Sequence, residues 1–224
     1  MLTLATLSYS PDVAPVNITV MLKAGMKRER RYHHGNLKKT LLDAAVKVVA
    51  KVGPRAFTLR EVARHAKVSH NAPYRHFHDK EELLAAVASE GFERLADAMI
   101  EAAATADNSL DALMLTGRGY VKFALRWPEH FSVMFDYCQG LDAYPAYAAS
   151  GQRAFQVLLD HVAGAQRDGR LPAADANELA LTAWSIVHGI AKLANSGLLP
   201  FKSQDDVLRF TALATRTLAE GMRK

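Results

Sequence analysis

The stretch from residue 57 to residue 80 constrains the fold most, because it predicts two short helices joined by a tight turn. Thr58 and Glu61 match the capping box, in which the Thr hydroxyl and the Glu carboxylate each accept a hydrogen bond from a free backbone N–H at the helix start. Apolar residues at helical spacing follow. The pattern therefore predicts a helix over residues 59–66 and a turn over residues 67–69.

A second short helix is predicted over residues 70–77, with Ser69 as its N-cap. Pro73 is compatible with that helix because it lies in or next to the first turn. Asp79 then caps a third helix. Two short helices around a tight turn are typical of a helix-turn-helix, whose second helix enters the major groove of DNA by its N-terminal end.

This stretch resembles the DNA-binding domain of the TetR family of bacterial transcriptional regulators. The match is carried by Val68-Ser69, by Tyr74-Arg75-His76-Phe77 and by Asp79-Lys80-Glu81-Glu82-Leu83. The chain departs from the family pattern at Lys67, where the family commonly has glycine, so this lysine either adds a phosphate contact or strains the turn. The resemblance implies a homodimer that binds an operator in double-stranded DNA and responds to a small-molecule effector.

The polar side chains of this region are the candidates for contact with DNA. The predicted set is Lys38, Thr58, Arg60, Lys67, Ser69, His70, Asn71, Ala72, Tyr74, Arg75, His76 and Lys80. Within the set, base edges are expected for Ser69, His70, Asn71 and Arg75, and phosphates for Lys38, Thr58, Tyr74 and Lys80. Base contacts read sequence, whereas phosphate contacts position the protein. The alternative is a small helical hairpin with a solvated basic face.

The distribution of charge agrees with a DNA-binding region. Residues 26–80 carry 14 Lys and Arg against 4 Asp and Glu, whereas residues 81–224 carry 13 against 18. A basic patch is the electrostatic footprint of a protein that neutralises phosphates. A charge run is often only a solvated face, but here it coincides with a motif that requires it.

The whole chain is expected to be all-α. Alanine is frequent, and no stretch alternates with a period of two for long. We predict an N-terminal three-helix helix-turn-helix domain over residues 33–79 and a six-helix ligand-binding and dimerisation domain over residues 80–224. The nine predicted helices begin and end near 37–52, 59–66, 70–77, 79–105, 110–126, 129–137, 147–168, 176–196 and 204–222.

Residues 1–32 are predicted to be a disordered leader and a basic arm. Residues 1–25 lack the charged and continuous apolar regions of a signal peptide, and they are too short and interrupted to span a membrane. Met26 is an alternative start. The single cysteine, Cys138, excludes an internal disulfide framework and suits a reducing cytoplasm. No membrane partner is expected.

Aromatic and Met side chains are frequent between residues 114 and 184. Ordinary core packing explains most of them, whereas the functional interpretation is a ligand cavity between helices. The candidate lining residues are Phe123, Trp127, Phe131, Met134, Tyr137, Phe155, Trp184 and His188. Trp184 and His188-Gly189 also resemble the Trp-His-Gly signature of a TetR subfamily.

No motif indicates catalysis, and no cofactor is expected. The sequence contains neither a glycine-rich phosphate loop nor a Gly-x-Ser-x-Gly elbow. A metal site built from His130, His161 and His188 with Cys138 and Asp136 would require a tertiary arrangement that no spacing indicates. The resemblance to the TetR family implies a sequence-specific repressor that a small-molecule ligand releases from its operator. The competing class is a constitutive or architectural DNA-binding protein with a packed second domain.

Overall fold

A computed structural model describes residues 37–136 and 143–222, all of which belong to one compact unit. Within these ranges the chain forms eight α-helices and one short 3-10 helix, without strands. The all-α fold is confirmed. The elements are α1 Leu37–Ala56, α2 Leu59–His65, the 3-10 helix Pro73–Arg75, α3 Lys80–Ala103, α4 Ser109–Arg126, α5 Pro128–Asp136, α6 Pro145–Arg167, α7 Ala176–Asn195 and α8 Gln204–Met222.

Most predicted helix boundaries agree with the structure to within a few residues. The predicted end of the first helix at Gly53-Pro54 is visible as an interruption: Gly53 is non-helical, with φ 79° and ψ 163°, before one more turn completes α1. Asn108 caps α4 by accepting hydrogen bonds from two backbone N–H groups. Ser203 and Asp206 bond each other's backbone N–H at the start of α8. Local capping chemistry thus sets these ends.

The predicted helix over residues 70–77 is wrong, because only Pro73–Arg75 is helical there, as a 3-10 turn. Pro73 has no N–H to donate to the carbonyl of Ser69. That carbonyl instead accepts the N–H of Ala72 at 2.9 Å, which is a tighter i to i−3 bond. Ser69 also does not cap the element through its side chain.

The long helix α3 joins the two predicted domains through a shared core. It packs against α4 and α6 along its length and against α1 near its start. Buried Phe77 and Leu83, on either side of the predicted boundary at residue 79, belong to the same apolar cluster as Tyr120 of α4. The boundary itself stays a prediction.

A partly buried polar cluster lies where α1 meets α3 and α5. Lys39 of α1 contacts Glu90 of α3 at 3.1 Å, and Arg94 binds the same carboxylate. Burial alone would raise the pKa of Glu90, but the hydrogen bonds from these two cations hold it below its usual value. His130 of α5 is 4% exposed, and burial lowers its pKa, so it packs here as a neutral ring.

None of the described helices combines the length and apolar character that a membrane span requires.

Candidate DNA-reading surface and ligand cavity

The start of α2 has the predicted capping box. Thr58 N donates to Glu61 Oε2 at 2.8 Å, and Glu61 N donates to Thr58 Oγ1 at 3.2 Å. Phe57 and Val62, the two positions of a hydrophobic staple, are both buried. These bonds fix the angle at which the chain enters the helix.

The end of α2 is a Schellman motif centred on Lys67. Lys67 N donates to Arg64 O at 3.2 Å, and Val68 N donates to Ala63 O at 3.0 Å. The motif requires a left-handed residue, and Lys67 has φ 56°. A side chain in this conformation is strained relative to glycine. The departure from the family pattern therefore does strain the turn, and it also displays the lysine on the surface.

Most predicted DNA-binding side chains are exposed, and seven of them lie on one exposed segment, residues 67–76. Ala72 differs, since it is only 8% exposed and packs inward. Lys80 is half-buried: its Nζ donates to Arg55 O at 2.7 Å and lies 5.1 Å from the centre of the Phe57 ring. The exposed members are Lys38, Thr58, Arg60, Lys67, Ser69, His70, Asn71, Tyr74, Arg75 and His76.

The exposed segment is followed at once by α3, whose N-cap is Asp79. Its carboxylate accepts the N–H of Glu82 at 2.8 Å and the hydroxyl of Tyr144, from the start of α6, at 3.2 Å. The backbone N–H of Glu82 is the main reason that the pKa of Asp79 lies below its usual value. The N-terminus of α3 is therefore bonded to the chain segment that precedes α6.

A cavity of about 670 Å³ lies between α3, α4, α5, α6 and α7. Its volume falls in the range of ligand sites, about 300–1,000 Å³. Four of the predicted lining residues face it: Met134, Phe155, Trp184 and His188. It also has lining residues that the sequence did not single out for this role: Phe92, Leu95, Met99, Phe135, Tyr147, Gly151, Gln152, Ala154, Leu158 and Leu181.

Three of the remaining predicted residues do not line the cavity. Phe123 is fully buried against Trp127, with ring centres 5.4 Å apart. The guanidinium of Arg94 lies 5.5 Å from the centre of the Trp127 ring, and that of Arg126 lies 4.7 Å from it. Phe131 packs against residues that line the cavity and does not line it. The centre of its ring lies 6.1, 5.0 and 5.3 Å from the ring centres of Tyr120, Phe135 and His188. Tyr137 lies outside the described residues, as does Cys138.

Three polar side chains meet at the cavity wall. Trp184 Nε1 donates to the Tyr120 hydroxyl at 3.2 Å, and that hydroxyl lies 2.8 Å from His188 Nδ1. Trp184 and His188 are one helical turn apart on α7, so both reach the same residue of α4. Burial raises the pKa of Tyr120 above its usual value and lowers the pKa of His188. Both side chains are therefore uncharged at neutral pH.

The histidines of this half do not assemble into a metal centre in the part of the chain that the structure describes. His161 Nδ1 lies 2.8 Å from the carbonyl of Val157 and 3.2 Å from the hydroxyl of Thr116. The ring of His130 is buried away from the cavity wall.

Two matches to family models cover most of the described chain. Residues 41–87 match the model for bacterial regulatory proteins of the tetR family. Residues 113–218 match the model for the C-terminal domain of tetracyclin-repressor-like proteins.

Individual relatives agree with these models. The chain is 37% identical over 97 residues to the HTH-type transcriptional regulator BetI of Rhizobium meliloti (strain 1021), a match spanning 42% of this chain and 44% of that protein. A protein of unknown function from Rhodococcus sp. RHA1 has a solved structure with 33% identity and a TM-score of 0.77, covering 88% of this chain and all of that one.

The transcriptional regulator FadR from Bacillus subtilis, solved in complex with stearoyl-CoA, has the same fold at 16% identity. Its TM-score is 0.71, and the match covers 82% of this chain and 98% of that one. With its helix-turn-helix, its six-helix second half and these matches, the chain belongs to the TetR family of bacterial transcription regulators.

Proposed function

We propose that this protein is a homodimeric repressor that leaves its operator when a small, largely apolar molecule enters the cavity. The observation that carries the proposal is the double role of α3. The helix begins directly after the exposed basic segment, and further along it Phe92, Leu95 and Met99 form part of the cavity wall. A molecule that displaces this wall also displaces the segment at its N-terminal end.

The contacts between α6 and α3 provide a route for the displacement. Tyr144 binds the N-cap Asp79, while Arg153 of α6 binds the carboxylates of Glu93 and Asp97 on α3. Two recognition elements bind strongly when their separation matches about 34–36 Å, one turn of DNA. A ligand that favours another spacing weakens binding by a coupling free energy of about 1–3 kcal/mol.

The dimer interface is proposed to lie on α7 and α8. Four large apolar side chains of these helices are exposed: Leu181 lines the cavity, and the other three are Leu193 at 44%, Phe210 at 36% and Leu213 at 61%. Leu213→Glu should give a monomer in sedimentation velocity, because it buries a charge in the interface. Ile100→Glu, on the exposed side of α3, is the matched control and should stay dimeric.

The proposal of sequence-specific binding is tested on DNA fragments selected from the genome by the whole protein. Arg75→Ala should relax the preference at one base position, whereas Lys38→Ala should weaken binding to all fragments and reduce the dependence on salt by about one released ion. Lys122→Ala removes an equally exposed lysine from α4 and should change neither. An unchanged salt dependence in Lys38→Ala would show that the protein docks differently.

The effector is tested by titrating candidate molecules into the complex of protein and selected fragment. Acyl compounds are the first candidates, because FadR from Bacillus subtilis binds stearoyl-CoA in the same fold. We also propose that this chain belongs to the TetR subfamily with the Trp-His-Gly signature. Operator affinity should fall roughly 5- to 150-fold when the cavity is occupied. Occupation without any change in affinity would favour the constitutive, architectural protein instead.

A further inference from the structure

The hydrogen bonds at the cavity wall leave one donor available to a ligand. An indole N–H can only donate, so the Tyr120 oxygen accepts the bond from Trp184. The phenol is buried and has no other acceptor among the described residues, so its one proton is assigned to His188 Nδ1, at 2.8 Å. A neutral imidazole that accepts at Nδ1 carries its own proton at Nε2. His188 therefore presents an N–H donor from Nε2.

The surroundings of His188 keep this arrangement uncharged. Burial lowers its pKa, and the neighbouring ammonium of Lys192 lowers it further. Lys192 itself is paired with Asp136. Nε2 makes no hydrogen bond to another described residue, and it is not one of their fully buried atoms, so water can reach this donor until an acceptor on a ligand replaces that water.

The described cavity wall carries no formal charge. Its polar side chains are the tyrosines, the tryptophan, His188 and Gln152, and none of its described residues is Asp, Glu, Lys or Arg. The ammonium of neighbouring Lys192 is already paired with Asp136, so a carboxylate that enters the cavity loses its hydration without gaining a free counter-ion. A single acceptor oxygen on an otherwise apolar molecule instead satisfies the free donor.

We infer that the effector is an uncharged molecule with an apolar body and one carbonyl-type oxygen that accepts a hydrogen bond from His188 Nε2. The inference rests on the proposed function, since it names the ligand class of the same cavity. It makes His188 the residue that determines specificity and Tyr120 the residue that positions its proton.

Three ten-carbon aromatic probes test this inference: phenyl propyl ketone, butylbenzene and phenylbutyrate. They share an apolar body and differ in carrying a carbonyl, no polar group or a carboxylate. Calorimetric titration of the full-length protein should give the ketone roughly 3- to 10-fold tighter binding than butylbenzene, the gain of one net hydrogen bond. Phenylbutyrate should bind more weakly than both.

Variants assign the preference to the histidine. His188→Leu should bind the ketone and butylbenzene equally, while His188→Gln, which keeps an N–H near the ε position, should retain part of the preference. Tyr120→Phe should reduce the preference for the ketone. Without the hydroxyl that donates to Nδ1, His188 can carry its proton at Nδ1 instead of Nε2. His161→Gln, in the same half but away from the cavity wall, should bind like the wild type. Thermal unfolding identifies any variant that fails to fold. The folded variants then show whether the preference for the ketone depends on His188.

Three outcomes overturn the inference, and they are distinguishable from failure of the proposed function. Equal binding of ketone and butylbenzene to the wild type overturns the ligand class alone, as does a preference that survives in His188→Leu. Tightest binding by phenylbutyrate shows an anion site. If none of the probes binds up to its solubility limit, the cavity does not receive apolar molecules, and the proposed function fails as well.

Discussion

The two halves of the molecule, residues 37–79 and the described part of residues 80–222, are stabilised by interactions of different range. In the first half, the capping box and the Schellman motif join residues within five positions of each other. In the second half, Tyr120 binds His188, 68 positions away, at the wall of the cavity. The helix ends of the reading half, residues 37–79, are thus set by local bonds, whereas the cavity wall of the second half depends on bonds between helices that are distant in the chain.

The first prediction contrasts two phenylalanines. Phe77 is 2% exposed in the core of the reading half, so Phe77→Ala should lower the free energy of unfolding by about 3–5 kcal/mol. Phe155 lies on the cavity wall and is half-buried, so Phe155→Ala should cost clearly less. Urea unfolding monitored by circular dichroism measures both. Equal costs would contradict the difference in packing around these two rings.

The second prediction concerns the crossing of α3 and α4. A Cβ added at Gly119 would lie 2.7 Å from the carbonyl oxygen of Ala98, and backbone cannot move away as a side chain can. Gly119→Ala should therefore destabilise, because overpacking costs about 1–3 kcal/mol and the helix propensity of alanine returns about 1 kcal/mol at most.

The matched control for that crossing is Gly164→Ala in α6. The nearest atom to the added Cβ there is a terminal nitrogen of Arg167 at 3.7 Å, an ordinary contact. This change should raise the free energy of unfolding by about 0.5–1 kcal/mol. Urea unfolding of both variants should give opposite signs, and a common sign would show that α3 and α4 are not held as closely as described.

The same contrast in range explains what the sequence could predict. The capping box at Thr58 and the cap at Asp79 follow from neighbouring residues, and both are confirmed. The helix predicted over residues 70–77 does not form, because Pro73 has no N–H for an i−4 bond to Ser69, although its own position in the first turn is compatible with a helix.

The cavity was predicted less completely, for a physical reason. Helical periodicity identifies which residues share a face, but it does not identify the helix that each face meets. Phe123 and Trp127 share a face of α4. Their rings contact each other, and Trp127 contacts two arginines, so both rings lie away from the cavity. Phe92 of α3 lines it, and that placement depends on the packing of five helices.

The third prediction tests the strained turn of the reading half. Lys67→Gly should stabilise the protein by about 0.5–1 kcal/mol. Glycine adopts the left-handed conformation without a steric clash, and this gain is only partly offset by the larger entropy that glycine loses on folding. The same variant should bind operator with a weaker salt dependence if Lys67 contacts a phosphate. Lys47→Gly, inside α1, is the control and should cost about 1 kcal/mol.

The last prediction has the smallest effect on stability and tests the bond between the halves. The pKa of Asp79 is lower in the folded protein than in the unfolded chain, so its charge stabilises the fold at pH values above the unfolded pKa. That stabilisation is lost as the pH falls through the folded pKa. Asp79→Asn keeps an oxygen that caps the helix but does not titrate. It should melt below the wild type at neutral pH, and the two should converge in acid.

Tyr144 should contribute part of this difference, since its hydroxyl is one of the donors that stabilise the carboxylate. Tyr144→Phe should change the free energy of unfolding by no more than about 0.5 kcal/mol, because the bond is partly exposed to water. Its effect on regulation should be larger than its effect on stability, since the bond joins the segment before α6 to the first turn of α3. Ligand affinity and operator affinity should each be nearly unchanged, while the ligand should lower operator affinity less than in the wild type. An unaltered response would show that α6 transmits the displacement through Arg153 and its carboxylate partners instead.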